Sequence, residues 1–451
     1  MKEVNPTRKN STGLFRIIWG AYALVMLGLF FSFSIWDKKR VIDWDISYYY
    51  SYLPATFIYG DYTFNDRDTL WENSHFRFPV SEEGQKLPVK MTAGMAVVYS
   101  PFFLIAHGYA LLSPKYPAHG FSRPYRFAIM LSACLASIGA FWLMGQLLML
   151  FYSPTTAGIA TLAIFSGTNL PYYSLVEPMS HVYSLALLCG LLLLFFRYLQ
   201  QPGSRLVLFI GLVSGLILLI RPSNLVMLAF PIILLIAYRK HLVLKQSLYH
   251  LLISALAALA VCVPQFIYWH HLTGSWLYYS YGDEGFFFSQ PEIFKGLFSY
   301  RKGWFVYSPL LLLSLPGFIV LYRRHRRIAL ACSLSLLLAI YLVFSWWCWW
   351  YGGSFGARAL IEYLPFVALP LAALIHWVRA ERKAVRIPFW LVLLALCAWS
   401  LFMNWQYYEG LIHYDAMTAE AYWKQFLNTE YADGFWQALE HPDYEAARQS
   451  R

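Results

Sequence analysis

Acidic, basic and imidazole side chains recur in this chain where long apolar runs end. After the first run comes Asp43-Trp44-Asp45, followed by a tyrosine-rich stretch that includes Tyr48 and Tyr49. A carboxylate at such a boundary can take a proton from a hydroxyl, or simply cap a helix. Asp45, directly ahead of the tyrosines, is the first candidate base and Asp43 the second; Asp61, Asp66 and Asp68 read as solvated loop. Further on, Glu177-Pro178-Met179-Ser180-His181 places a carboxylate and an imidazole four residues apart, on one face if the turn is helical. That pair could hold a divalent metal or bind and protonate a phosphate. Arg221 stands in a tight turn between two apolar runs, where an unpaired charge is costly unless it faces a cavity or snorkels to headgroups. Its fork of donors suits phosphate.

Two later segments add aromatics to charge. Residues 274–286 carry Tyr281, Asp283 and Glu284 among glycines and tyrosines, and Arg301-Lys302-Gly303-Trp304 opens the next run. Tyr and Trp can stack on sugar faces, and Arg301 and Lys302 can meet a phosphate or anchor at headgroups. The most distinctive segment is Trp346-Trp347-Cys348-Trp349-Trp350-Tyr351-Gly352-Gly353-Ser354-Phe355-Gly356-Ala357-Arg358. Four tryptophans in five residues exceed what an interfacial belt needs, and the glycines deliver Arg358 to the boundary. The candidates for phosphate are thus Arg221, Arg301, Lys302, Arg358 and His181. Those for other substrate contacts are Glu177, Tyr48, Tyr49, Tyr281, Asp283, Glu284 and Trp350.

The elements that must position these residues are membrane helices. Of 451 residues, 59% are hydrophobic, 19% aromatic and only 13% charged, with mean hydropathy +0.47. A soluble domain is about 25% charged, so a cytosolic enzyme, a disordered chain and a secreted disulfide scaffold are excluded. Five of the six cysteines sit inside apolar runs without a CxxC pair, which marks packing residues. The net charge of +11 is read as basic cytoplasmic loops, not as a nucleic-acid footprint. Apolar runs lie near 17–35, 91–112, 126–151, 156–173, 181–196, 206–220, 224–238, 247–269, 304–321, 328–345, 359–377 and 387–404. If 91–112, with its Pro101, lies at the interface, 13 basic residues fall in the later cytoplasmic loops. This choice predicts an all-α polytopic protein with about eleven transmembrane helices and amphipathic interfacial helices in the first outer loop, 36–125. The first run, after Lys2, Arg8, Lys9 and Arg16, reads as a retained anchor with the N-terminus inside. The other large outer segments are 270–303 and a tail, 405–451; residues 1–404 form one integral domain. Lys38, Lys39 and Arg40 are out of line on the outer side, where they would meet anionic lipid or a substrate phosphate, or stand as a plain exception to the charge rule.

In this order and on one face, the motifs resemble the GT-C superfamily of membrane glycosyltransferases. The resemblance is to its family 39-like branch of protein O-mannosyltransferases and aminoarabinose transferases. It covers roughly residues 14–404 and rests on Asp43-Trp44-Asp45, the interfacial helices, Glu177 to His181, Arg301 to Trp304 and Gly352 to Arg358. It implies transfer of a sugar from a polyprenyl-phosphate carrier on the outer (periplasmic) face of a bacterial inner membrane, with inversion. The acceptor would be a glycan, lipid or protein. It implies Asp45 as base, Glu177 and His181 near the carrier phosphate or a metal, and Arg221, Arg301 and Arg358 as neutralisers of phosphate charge. The relatives usually have adjacent Asp-Glu, whereas here the acids are spaced Asp-x-Asp. Competing readings are a flippase of lipid-linked saccharides, an O-antigen-ligase-type glycan transferase and a non-catalytic scaffold. Against a flippase, the apolar runs carry almost no mid-span charge. No P-loop, GxSxG, HExxH or dinucleotide fingerprint is present.

Overall fold

The computed structural model describes residues 13–38, 41–64, 88–238 and 244–449. Lys2, Arg8, Lys9, Lys39, Arg40, Asp66, Asp68, Arg239 and Lys240 lie outside the described residues.

The described chain is helical, and its β pairing is an isolated bridge between Phe286 and Trp346. The helices are α1 (Gly13–Phe33), α2 (Trp44–Phe57), α3 (Gly94–Leu112), α4 (Arg123–Met149), α5 (Pro154–Ser166) and α6 (Leu170–Leu175). Then follow α7 (Ser180–Gln200), α8 (Ser204–Ile220), α9 (Ala229–Tyr238), α10 (Leu244–Thr273), α11 (Ile293–Phe298) and α12 (Trp304–Tyr307). The last are α13 (Ser314–Arg324), α14 (Arg326–Phe344), α15 (Pro365–Ala380), α16 (Lys383–Tyr408), α17 (Ala419–Gln425) and α18 (Tyr444–Gln449). Tight 3-10 turns at Pro222–Leu228, Pro309–Leu313 and Arg358–Tyr363 lead into α9, α13 and α15. Among the described residues, seven helices (α1, α3, α4, α7, α10, α14 and α16) are long and apolar enough to cross a membrane. Helices suit that solvent because they satisfy their own backbone donors and acceptors.

Local chemistry sets the starts. Ser153 accepts from the Thr156 amide at 3.4 Å ahead of Pro154, and Pro365 occupies the first turn of α15, where its missing N–H costs nothing. Packing between helices depends on small residues. Gly211 and Gly215 on α8 are one turn apart and lie against the backbone of α10 at Ser254 and Ala258. A methyl group at either would collide with those carbonyls, the close approach that a GxxxG face provides. Gly317 of α13 meets the Pro370 backbone of α15 in the same way.

The bundle has two unlike ends. At one, Phe15 packs against Gly145 and Gly158, Tyr198 bonds His250 at 3.1 Å, and Arg379 reaches Ser153 and Thr156. This end gathers Arg16, Arg197, Arg205, Lys245, Arg323, Arg324, Arg326, Arg327, Arg379, Arg382, Lys383 and Arg386, with Glu381 as its acid among the described residues. The other end holds the remaining described acids and the long connections. Helix α3 lies across this second end. Its Gly94 abuts the last residues of α8, Tyr99 donates to Pro178 O, and His107 bonds Tyr125 at the start of α4 at 2.6 Å. Gly94 and His107 of α3 thus both meet helix ends of the same side. At 19 residues, α3 is also long and apolar enough on average for a span.

Candidate active site

The candidate site lies at the acid-bearing end. Asp43 caps α2, its Oδ1 accepting from the Trp44 amide at 3.0 Å. The helix starts with Trp44 at a positive φ of 48°, rare for an aromatic residue. Asp45, in the first turn, therefore points elsewhere: its Oδ2 accepts from Nη2 of Arg358 at 2.9 Å. The second guanidinium nitrogen, Nη1, lies 2.8 Å from Met179 Sδ, and Nε is buried without an acceptor.

Arg358 arrives through the glycine-rich turn. Gly352 and Gly356 adopt φ of +62° and +57°, a region open to glycine and costly to other residues. Tyr173 and Asn169 pin the turn from α6: the Tyr173 hydroxyl accepts from Phe355 N at 2.7 Å, and Asn169 Nδ2 donates to Phe355 O at 2.8 Å. The loop after α6 then presents Glu177 and Met179 to the same place.

Behind Asp45 lies a second charged set. Glu362, four residues past Arg358, is buried, and its Oε1 lies 2.9 Å from His181 Nδ1 and 3.5 Å from Arg221 Nη1. Its Oε2 is buried without a partner. Asp45, Tyr49, Met91, Met179, Ser180, His181, Arg221 and Arg358 enclose one cavity of about 240 Å³. Arg221 and Glu362 also border a larger cavity of about 860 Å³, walled by Trp269, Tyr281, Trp346 and Tyr351. Arg221 therefore lies between the two spaces.

The structure brings together Asp45, Tyr49, His181, Arg221 and Arg358 of the residues singled out in the sequence, with Tyr281 in the adjoining cavity. Glu177 stands at the edge of this group. Tyr172 donates to its Oε1 at 2.9 Å, and its Oε2 is buried without a partner. Burial raises its pKa above the usual carboxylate value, and the nearby Arg358 opposes that rise. Other candidates stand apart. Tyr48 is half-buried on α2 outside the small cavity's wall. Glu284 pairs with Lys90 at 2.6 Å, and the exposed Asp283 lies 3.6 Å from Arg448. Trp350 borders a separate polar cavity with Glu292, Lys295 and Arg301. Lys302 is buried, and its Nζ donates to the carbonyls of Ser354 and Tyr414; Arg301 donates to Asp415 O at 2.6 Å. Burial, reinforced by Arg358, pulls the Lys302 pKa down to about 7.

His181 turns Nδ1 to Glu362, while Tyr172 bonds Oε1 of Glu177. Among the described residues no group of three or more His, Cys, Asp or Glu side chains could hold a metal. Glu362 is the site residue that sequence reasoning missed. Its signal was present: a lone carboxylate opening an apolar run, which is costly there without a partner.

No protein-family model matches the chain, and none of the curated proteins is similar to it. Among solved structures, it is similar to "Crystal Structure of ArnT from Cupriavidus metallidurans in the apo state". The two share 12% identity and a TM-score of 0.49, over 91% of this chain and 66% of that one. The chain thus spans just under two thirds of that protein's length.

Proposed function

We propose that this protein is a membrane glycosyltransferase of the GT-C kind, moving a sugar from a polyprenyl-phosphate-type lipid to an acceptor hydroxyl. The observation that carries this reading is the Asp45–Arg358 pair on a cavity shared with Arg221 and His181. It sets a reachable carboxylate, a third exposed, beside two guanidinium groups. In the proposed reaction the acceptor hydroxyl gives its proton to Asp45 as its oxygen bonds to the anomeric carbon. The carbon–oxygen bond to phosphate breaks, and the electron pair leaves on the phosphate. Arg358 and Arg221 offset the charge that grows there. Attack from the face opposite the leaving group inverts the anomeric centre. Arg358 also orients Asp45 before substrate arrives, and Glu362 keeps Arg221 and His181 in place. The aromatic and apolar walls of the cavity beyond Arg221 are of a character to meet the sugar or the first isoprene units of the carrier.

The test is transfer from purified lipid donor by Asp45→Asn and Asp43→Asn variants. Removing a general base costs about 10²–10⁴-fold, so Asp45→Asn should lose transfer by that factor. Asn also caps helices well, so Asp43→Asn should stay near the wild-type rate. Full transfer by Asp45→Asn would remove Asp45 from the role of base.

A further inference from the structure

We infer that the C-terminal segment 411–449 is a clamp on the active-site turn, and that Lys302 is the positioning residue that fastens it. The inference rests on the glycosyltransferase reading for its consequence in catalysis. Its geometry stands independently.

The turn that carries Arg358 has three glycines in the five residues 352–356, two of them at positive φ. Such backbone is ordered only by bonds from outside. Four residues before Arg358, the clamp supplies them. Lys302 donates to Ser354 O and Tyr414 O at once, and the Ser354 amide donates to Tyr414 O at 3.1 Å. Arg301 holds the next tail carbonyl, that of Asp415. Farther along, the Tyr444 hydroxyl donates to Asp415 Oδ2 at 3.0 Å, and its ring meets Trp350 at 5.3 Å. The Arg448 guanidinium lies 4.8 Å over Trp347. The tail therefore grips the segment at Trp347 and Trp350, ahead of the turn, and at Ser354 within it. Lys302 is 2% exposed, and lines neither the Asp45 cavity nor the aromatic one. Even a neutral amine has two N–H donors, and both have acceptors here; the downward pull of burial on its pKa agrees with this use.

The experiment uses the full chain in detergent or nanodiscs. Lys302→Met keeps the aliphatic stem and loses both donors. A Cβ built at Gly353 lies 3.9 Å from Tyr414 Cβ, within disulfide range, so Gly353→Cys with Tyr414→Cys supplies a covalent substitute for the amine. Lys302→Met should lower kcat about a hundredfold, the scale of a small misplacement of catalytic groups, with KM for the lipid donor unchanged. Oxidising the cysteine pair in that background should restore most of the loss, and dithiothreitol should abolish the recovery. Mass spectrometry should identify the 353–414 crosslink in the Lys302-bearing chain. Failure of that crosslink to form overturns the clamp. So does a crosslinked Lys302→Met chain that stays inactive while the crosslinked Lys302-bearing chain is active, because the amine would then act on substrate. A raised KM with unchanged kcat has the same meaning. A readout without activity separates this inference from the glycosyltransferase reading: trypsin should cut after Lys424 faster in Lys302→Met than in wild type. Equal rates overturn the clamp even if no sugar transfer is found; faster cutting supports it in that case too.

Discussion

Glu177 has two unlike oxygens, one bonded by Tyr172 and one buried without a partner. Burial raises its pKa in the folded protein above the ordinary 4.5. Between 4.5 and that higher value the folded state holds more protons than the unfolded state, so stability falls as pH rises through the window. Glu177→Gln removes the titration, and its advantage in thermal midpoint over wild type should grow from pH 4.5 toward neutrality. Parallel melting curves across that range would show that the carboxyl is not held in its neutral form. Glu362 has the opposite role, as the buried counter-charge of Arg221. Removing one partner of a buried pair costs about 3–5 kcal/mol, so Glu362→Ala should destabilise the protein by that amount in denaturant unfolding. A loss within about 0.5 kcal/mol, typical of a surface substitution, would mean that Arg221 does not depend on it. At this scale Asp45, Tyr49, His181, Arg221 and Arg358 were legible, because a polar side chain at the end of an apolar run stands out. Glu362 was missed although it too opens an apolar run, and its partners, 181 and 141 residues away in sequence, could not be read without the fold. Arg301 and Lys302 were legible as boundary cations, but their acceptors are backbone carbonyls of the turn and tail, which no residue type announces.

The elements followed more directly from the sequence. Every apolar run became a helix or a helix entered through a 3-10 turn, since a run without water partners must satisfy its backbone internally. The lie of α3 was not legible from hydrophobicity, which fits a span equally well. The expectation that it lies at the interface rests on the sidedness of basic residues farther along the chain. The tail stands out in the sequence as an outer segment, 405–451, and its contacts with the turn at 352–354 were invisible without the fold. Among the elements, the glycine-rich turn is where a single methyl group would act on the site itself. At Gly356, φ is +57° and a Cβ would lie 3.0 Å from Tyr307 Cβ. An L-residue pays about 1–2 kcal/mol in that conformation, which the turn can relieve by shifting Arg358 off Asp45. Gly356→Ala should therefore reduce transfer at least tenfold, at roughly 1.4 kcal/mol per factor of ten, while the unfolding midpoint falls only slightly. Unchanged transfer would mean that the register of the turn does not control Arg358.

At the scale of the whole molecule, charge divides the protein. One end carries twelve described lysines and arginines, in short loops, against Glu381; the other carries as many, but together with the site, the long connections and the remaining described acids. Short basic loops stay on the cytoplasmic side of a membrane, so the division predicts a site facing outward. That direction bears on the chemistry. A lipid carrier keeps its tail in the bilayer and brings an already activated sugar phosphate to the boundary, which suits a compartment without nucleotide sugars. An inward-facing site would have no such need, and the same pair of arginines would then be better explained by another anion. Labelling decides between the two. Asp283 is 72% exposed at the site end, and Arg382 is exposed between α15 and α16 at the basic end. A cysteine in place of Asp283 should react with an impermeant maleimide in intact cells, and a cysteine in place of Arg382 only after permeabilisation. The six native cysteines are buried or partly buried, which keeps the background low. The reverse pattern would place the Asp45–Arg358 pair inside the cell, and the lipid-donor reading of the site would fall with it.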